Sequence, residues 1–174
     1  MEKNIISWLQ ESRIQTLDSV FIFLTDYVTL ITALIFIYLI FRVFYKKNLP
    51  AYYFYLPLTS LLVASLLVNL LKIIIQRPRP YITFPHLEHP VNAGGFSFPS
   101  GHTAEVFVWF FVAMFLSRRF SVKILALIWA VFIAYTRIAF GAHYPSDILG
   151  GILTAFISFI IAFKILKYFK IIKA

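Results

Sequence analysis

The stretch FYLPLTSLLVASLLVNLLKIII, residues 54–75, contains one charged side chain, Lys72, close to its C-terminal end. About 20 residues of α-helix are needed to cross the ~30 Å hydrocarbon core of a bilayer. This stretch is therefore long and apolar enough to form a transmembrane helix. The whole chain has the same character, since 61% of its 174 residues are hydrophobic and only 13% are charged. A soluble domain of this size could not bury so much apolar surface.

Further apolar blocks extend this pattern, and they predict an all-α polytopic transmembrane helix bundle of about five spans. The candidate spans are residues 20–44, 54–75, 101–117, 122–140 and 147–168. Asp26 leaves open whether residues 20–27 lie in the membrane interface or within the first span. The third block is short for a complete crossing, so we expect its N-terminal end to lie below the lipid headgroups, where a pocket can form.

The N-terminal segment has a different pattern. Apolar and polar side chains are interleaved over residues 3–18, which predicts an amphipathic helix lying in the membrane interface. Glu11 and Arg13 interrupt the segment too early for a signal peptide, and we expect it to stay in the mature protein. Residues 20–172 then form the transmembrane bundle of a single membrane-embedded domain, residues 1–174. The chain contains no cysteine, which excludes disulfides and thiolate chemistry.

The formal net charge is +9, but the basic residues lie at the ends of the apolar blocks. This placement is typical of membrane topology and does not favour nucleic-acid binding. Ten basic residues fall at one end of the predicted bundle, namely Arg42, Lys46, Lys47, Arg118, Arg119, Lys123, Lys164, Lys167, Lys170 and Lys173. The opposite end has the other six, namely Lys3, Arg13, Lys72, Arg77, Arg79 and Arg137. Because Lys and Arg are enriched on the cytoplasmic side, we expect the N-terminus outside and the C-terminus inside the cell.

Three of the outer basic residues can converge on one pocket. Lys72, Arg79 and Arg137 each lie near the end of a span. A positive charge costs about 2.5–3.5 kcal/mol at the bilayer centre and less near the interface. Each residue alone is explained as an anchor whose charge reaches the headgroups. Together, three cations at one extracytoplasmic pocket indicate a site for a polyanion.

The sequence FPSGHTAEVF, residues 98–107, begins the third span with a histidine. Ser100 is a good N-cap and Gly101 allows close approach of the backbone, so His102 falls in the first helical turn. A helix N-terminus presents unpaired N–H groups and a partial positive charge, which suit a phosphate group. His102 is therefore predicted to face a bound anion. A helix cap with an interfacial histidine is the ordinary alternative.

A second histidine lies just before the fifth span, in GAHYPSDILGG, residues 141–151. Asp147 falls in the first turn of that span, close enough to His143 to hydrogen-bond one imidazole nitrogen. Such a bond would fix the tautomer and leave the other nitrogen free to attack. A turn histidine beside an N-terminal aspartate is the ordinary alternative for this pair.

In order and spacing, these residues resemble the three-part signature of the type 2 phosphatidic acid phosphatase superfamily. The matching residues are Lys72, Arg79 and Pro80, then Pro99, Ser100, Gly101 and His102, then Arg137, His143 and Asp147. The family usually has serine at the position of Thr136, and threonine keeps the hydroxyl group. The resemblance covers nearly half of the chain.

The resemblance implies a role for each matching residue. His143 would be the nucleophile that forms a phosphohistidine, Asp147 would orient it, and His102 would protonate the leaving oxygen and then activate water. The groups that would hold the phosphoryl oxygens are Lys72, Arg79, Ser100, Gly101 and Arg137. No metal and no other cofactor is expected, because family members work without one and the sequence has no carboxylate cluster for magnesium. The HLEH stretch, residues 86–89, leaves a transition-metal site open as an alternative to a plain polar loop.

With so little soluble mass, the protein is expected to take a lipid phosphate or diphosphate from the bilayer of a bacterial inner membrane. Its compact length resembles that of bacterial lipid A 1-phosphatases, undecaprenyl diphosphate phosphatases and phosphatidylglycerophosphate phosphatases, and we favour the first. The loop at residues 81–98 is expected to cover the pocket and contact the headgroup. An anion transporter and a membrane assembly subunit stay open, although the first would need repeated halves and the second would leave both histidine sites unused.

Overall fold

A computed structural model describes residues 1–91 and 93–172, which form eight α-helices and no β-strand. The helices are α1 (Glu2–Ser12), α2 (Asp18–Asp26), α3 (Val28–Ile40), α4 (Tyr52–Ile75), α5 (Pro80–Thr83), α6 (Gly101–Leu116), α7 (Phe120–Ala139) and α8 (Pro145–Tyr168). A 3-10 turn at Gln15–Leu17 precedes α2, and a π-helical turn at Phe41–Tyr45 extends α3.

Four helical stretches are long and apolar enough to cross a membrane, namely Val28–Tyr45, Tyr52–Thr83, Phe120–Ala139 and Pro145–Tyr168. The apolar helix α6 has 16 residues, or about 24 Å at 1.5 Å per residue. The prediction of an all-α transmembrane bundle is therefore confirmed, with a third span shorter than the bilayer core. The predicted ends of the last four spans lie within two residues of the helix ends.

The first predicted span, residues 20–44, is wrong at its start. The helix is interrupted at Tyr27, which separates α2 from α3, so the stretch that could span the membrane begins at Val28. The break allows α2 to pack against α7, where the buried hydroxyl of Thr25 lies 2.7 Å from that of Thr136. Residues 20–27 therefore belong mostly to a separate short helix.

The predicted N-terminal helix, residues 3–18, also ends early, at Ser12. Arg13 adopts an extended backbone conformation, and its side chain turns inward to Asp18 at 3.0 Å and to the Ala139 carbonyl at 3.4 Å. These tertiary contacts stop the helix before the 3-10 turn begins. The position of α1 in the membrane interface stays a prediction.

Helices α4, α6 and α8 pack against one another, and α7 packs against α6. Small side chains permit such close contacts between membrane helices. The buried alanines and serines of these helices are Ser60, Ala64, Ala104, Ala130, Ala134, Ala139, Ala155, Ser158 and Ala162. Large apolar side chains such as Leu66 and Ile73 remain exposed on the outside of the bundle, which suits a lipid environment.

The two ends of the bundle differ in chemistry. At one end, the Tyr53 hydroxyl donates to the Leu116 carbonyl at 3.1 Å, and Ile171 after α8 lines the same cavity as both. The predicted group of ten basic residues belongs to this end, except that Lys173 lies outside the described residues. At the other end, α1 covers the loops that lead into α6 and α8.

Helix α1 is held at this second end by apolar and polar contacts. Ile6 is fully buried against Leu87 and Tyr144. The Gln10 side chain exchanges hydrogen bonds with the backbone of Glu88, and the Glu88 carboxylate pairs with an arginine at the end of α1. The N-terminal segment is therefore part of the structure that surrounds the predicted site.

Candidate active site

His143 lies in the short connection between α7 and α8 and is only 2% exposed. Its backbone N–H donates to the Arg137 carbonyl at 3.0 Å. Arg79 Nη1 lies 3.2 Å from His143 Nε2. A guanidinium group can only donate, so Nε2 accepts and the ring proton of the neutral imidazole is on Nδ1. The Nε2 lone pair therefore points towards the Arg79 guanidinium group.

Burial lowers the pKa of His143 to about 4, and the charges of Arg79 and Arg137 act in the same direction, while the Asp147 carboxylate opposes them. The ring is consequently neutral at pH 7, as a nucleophilic imidazole must be.

Asp147 supports the other side of this ring and is completely buried. Its Oδ2 atom lies 3.4 Å from His143 Nδ1, a contact that lacks hydrogen-bond geometry among the described residues. The carboxylate itself accepts from Tyr144 N at 2.8 Å, from Arg77 Nη1 at 2.7 Å and from the Ser97 hydroxyl. Three donors thus fix the carboxylate in place. A small movement of the His143 ring would then complete the hydrogen bond from Nδ1 to Oδ2.

Arg77 connects Asp147 to the N-terminal helix. Its Nη2 atom donates to Glu2 Oε2 at 2.7 Å, and its guanidinium stacks 3.8 Å from the centre of the Tyr144 ring. Glu2 Oε1 in turn accepts from the backbone and hydroxyl of Ser146 at 3.0 and 2.7 Å. Partial burial raises the pKa of Glu2, but the hydrogen bonds from Ser146 and Arg77 outweigh it, so the pKa lies below its ordinary value. Glu2 therefore holds the start of α8 as a carboxylate.

The start of α6 is built as predicted around Ser100. The Ser100 hydroxyl accepts from Thr103 N at 3.4 Å and from the Thr103 hydroxyl at 2.9 Å, which confirms the N-cap. Such a cap is worth about 1 kcal/mol. Ser100 N also donates to the backbone carbonyl of Asp147 at 3.0 Å. This bond joins the two helix starts that carry His102 and Asp147.

Two glycines allow α8 to approach this segment closely. A Cβ atom on Gly151 would lie 2.7 Å from the Ser100 carbonyl oxygen and 3.0 Å from Thr103 Cβ. A Cβ atom on Gly150 would lie 2.5 Å from the ring of Phe98. Only glycine fits at these distances, so the GG pair sets the separation between the two histidine segments.

Arg137 lies near the end of α7 and is 1% exposed. Its Nε and Nη1 atoms have no hydrogen-bond partner among the described residues. Buried donors without partners are uncommon in proteins, and a planar guanidinium fits the oxygens of a phosphate. The hydroxyl of the preceding Thr136 donates to the Ile133 carbonyl at 2.8 Å and contacts α2, so it serves the packing of α7.

Lys72 and His102 face a groove between α3, α4 and α6, with a volume of about 530 Å³. Gly101 also lines this groove, whereas His143 does not. The positive charges of Lys72, Arg79 and Arg137 all act on the His102 ring. The structure therefore brings predicted site residues of all three motifs close together. His102 lines the groove, and His143 lies outside it.

Several residues around the site are not indicated by the sequence patterns. No motif assigns Arg77 to the site, although Arg77 contacts Asp147 directly. Ser97 and Glu2 have no local signal, because Ser97 lies 50 residues and Glu2 144 residues from the side chains that they bind on α8.

The loop at residues 81–98, described except for residue 92, binds two site residues, Arg79 through its backbone and Asp147 through the Ser97 hydroxyl. Carbonyl oxygens of Gly94 and Gly95 accept from Arg79 at 2.6 and 3.0 Å. Its expected contact with a headgroup stays a prediction. In the HLEH stretch, His86 and His89 lie beside aromatic rings and Glu88 is paired with Arg13. The part of the chain that the structure describes has no group of three or more His, Cys, Asp or Glu side chains that could hold a metal ion.

Comparison with known proteins agrees with this arrangement. Residues 53–171 match the family model of the PAP2 superfamily. Lipid A 1-phosphatase of Rhizobium etli is 36% identical over 113 residues, which make up 62% of this chain and 46% of that protein. The chain therefore spans less than half the length of this relative. Undecaprenyl-diphosphatase BcrC of Bacillus subtilis is 29% identical over 144 residues, with 81% of this chain and 70% of that protein covered.

Among solved structures, the crystal structure of Aquifex aeolicus LpxE superposes with a TM-score of 0.79 at 25% identity, and the match covers 92% of this chain and 93% of that one. The helical architecture is thus shared almost from end to end. Because the family model takes in well over half of the chain, including all three motifs, this protein is a member of the PAP2 superfamily.

Proposed function

We propose that the protein is a metal-independent lipid phosphatase that removes a terminal phosphate through a phosphohistidine intermediate. The observation that carries this proposal is a neutral His143, backed by the fixed carboxylate of Asp147, beside the unpaired buried donors of Arg137. The Nε2 lone pair of this neutral imidazole is held only by a hydrogen bond from Arg79. An incoming phosphate can take over that donor and leave Nε2 to attack phosphorus.

In the first step, His143 Nε2 forms a bond to phosphorus while the bond from phosphorus to the lipid oxygen breaks. His102, which lines the groove, donates a proton to that departing oxygen. Asp147 accepts a hydrogen bond from Nδ1–H and stabilises the positive charge that develops on the ring. The lipid leaves as an alcohol, or as a monophosphate when the substrate is a diphosphate.

In the second step, His102 takes a proton from a water molecule, whose oxygen attacks the phosphorus. The bond between phosphorus and Nε2 breaks, inorganic phosphate forms and His143 becomes neutral again. Lys72, Arg79, Arg137, Ser100 and the Gly101 N–H hold the phosphoryl oxygens in both steps, and fixed donors of this kind stabilise charge that builds up in the transition state.

For the substrate, we favour a lipid A 1-phosphate. The Rhizobium etli relative, a lipid A 1-phosphatase, is 36% identical over the aligned residues. Undecaprenyl diphosphate is the second candidate, because the alignment with the Bacillus subtilis enzyme covers a larger share of both chains. Phosphatidylglycerophosphate remains the third.

We place the enzyme in the bacterial inner membrane with its site facing the periplasm or cell exterior. The helices that could span a membrane and the bacterial relatives support the membrane location. The excess of basic residues at the opposite end of the bundle supports the orientation.

The experiment is phosphate release from detergent-solubilised protein, with a chelator present, using the three lipids side by side. Wild-type protein should release phosphate, and His143→Ala should abolish release while the protein stays folded, because the nucleophile supports little packing. A His143→Ala protein as active as the parent would exclude the covalent mechanism. If wild-type protein released phosphate from none of the three lipids, the proposed phosphatase activity would be excluded.

A further inference from the structure

The groove that contains His102 and Lys72 continues past them into the bundle, and its lining changes with depth. The residues that line it are Thr29, Thr32 and Phe36 of α3, Leu61, Ala64, Ser65, Val68, Asn69 and Lys72 of α4, and Gly101, His102, Ala104 and Glu105 of α6. Their spacing along each helix divides the groove into three layers.

The first layer holds Lys72 and His102 at the level of the phosphate. One turn further along each helix, Asn69 and Glu105 form a second layer, because residues three positions apart lie on the same face of a helix. Phe36 and Leu61 lie deeper and are apolar. A phosphate, a polar headgroup and hydrocarbon chains would meet these layers in the same order.

Glu105 is the unusual member of the second layer. An acidic side chain within a membrane helix is costly and by default indicates a functional site. Thr29 Oγ1 donates to Glu105 Oε2 at 3.3 Å, a long hydrogen bond, and the Thr32 hydroxyl lies close to the same carboxyl group. The groove reaches the outside of the bundle, because Asn69 is exposed and its amide donates to the Ser65 carbonyl at 2.9 Å. The acceptor atoms of the second layer are thus accessible from the bilayer.

We infer that Glu105 and Asn69 form a headgroup subsite that selects lipids whose leaving group carries hydroxyl or amide donors next to the scissile oxygen. This inference rests on the proposed function, since the leaving oxygen must lie beside His102 for the headgroup to reach Glu105. Sugar and glycerol headgroups carry such donors. In a polyprenyl diphosphate, the group next to the scissile oxygen is a second phosphate, whose negative charge is repelled by the Glu105 carboxylate, and the chain beyond it carries no donors.

A site built for hydrogen bonds rejects an analogue without donors, because its own polar groups then lose their partners. The subsite therefore favours an acylated amino sugar or a glycerol lipid over a polyprenyl diphosphate. Of the three candidate substrates, the groove chemistry therefore favours lipid A 1-phosphate and phosphatidylglycerophosphate over undecaprenyl diphosphate.

The test measures binding and turnover in detergent. The binding probes are a phosphate-free N-acylated glucosamine lipid and a polyprenyl alcohol of similar chain length. Wild-type protein should bind the glucosamine lipid more tightly, and Glu105→Gln should weaken that binding at least fivefold without a matching change for the alcohol. In turnover, Glu105→Gln should lower the ratio of kcat/KM for lipid A 1-phosphate to that for undecaprenyl diphosphate at least tenfold.

Glu11→Gln is the matched control, since this exposed glutamate lies on α1 away from the groove. Thr29→Val tests whether Glu105 serves only to join α3 to α6. Equal losses for both lipids in Glu105→Gln, reproduced by Thr29→Val, would overturn the subsite. Equal binding of the two phosphate-free probes by wild-type protein would overturn it even if the protein released no phosphate, so the two proposals fail separately.

Discussion

Asp147 is predicted to act on substrate only through its neighbour, His143. Its carboxylate accepts from a backbone amide, a serine hydroxyl and Arg77, so both oxygens have partners before His143 is considered. A carboxylate stabilised in this way keeps its charge. It can therefore support a developing imidazolium without taking the proton.

The pH dependence of turnover follows from the pKa of about 4 for His143. The nucleophile is the neutral ring, so kcat/KM should fall as the pH drops through about 4, and not near the ordinary histidine value of about 6.5. The profile should be measured with two lipid phosphates whose own second pKa values differ. If the midpoint of a limb of the pH profile differs between the two substrates, that limb reports ionisation of the substrate phosphate. If the midpoint is the same for both, the limb reports ionisation of a group on the enzyme. A fixed enzyme limb near pH 6.5 would contradict the assignment.

Glu2 is predicted to be a positioning residue, because it reaches His143 only through Arg77 and Asp147. Glu2→Ala should lower kcat about threefold to tenfold and leave KM nearly unchanged, since no phosphate contact is lost. We expect a stability loss of about 1 kcal/mol, a small value because the Glu2 carboxylate is partly exposed. Kinetics and thermal unfolding in detergent measure both effects, with Glu11→Ala on the same helix as the control. A raised KM with unchanged kcat would contradict the positioning role.

At the level of elements, the separation of α6 and α8 determines whether the two histidine segments can act together. Gly151→Val should force these helices apart, because its side chain would meet the Ser100 carbonyl and Thr103 rather than a flexible group. Overpacking of this kind costs about 1–3 kcal/mol of stability. The folded protein should also lose activity, because the Ser100–Asp147 backbone hydrogen bond is disturbed. Leu149→Ala, on the lipid-facing side of α8, is the control. An active, stable Gly151→Val protein would show that the helices can separate without harm.

The elements also show what the sequence could predict. Helices α4, α6, α7 and α8 were predicted to within two residues because a lipid-facing helix needs a continuous apolar run, and its length is set by the bilayer. The apolar pattern left the position of residues 20–27 open, because the residue that contacts Thr25 there, Thr136, lies more than a hundred residues away in the sequence. The motif residues could be grouped because their order and spacing resemble a known family signature, whereas Glu2 and Ser97 reach the site only through the tertiary fold.

At the scale of the whole molecule, charge and chemistry are separated along the bundle. Connections at one end carry most of the basic residues, and the other end carries the histidines and α1. Because each spanning helix joins the two ends, the direction of any one of them sets the direction of all. From the positive-inside rule we therefore expect the site to lie on the extracytoplasmic side.

Cysteine labelling tests this orientation, and the native absence of cysteine removes any background. A cysteine in place of His86, exposed in the loop between α5 and α6, should react with an impermeant thiol reagent in intact spheroplasts. A cysteine in place of Ser121, exposed at the start of α7, should react only after lysis. Both variants should label fully in detergent, which controls for access to the thiol. The reverse pattern would place the site in the cytoplasm and require a substrate from the inner leaflet, while the roles of His102 and His143 would be unaffected.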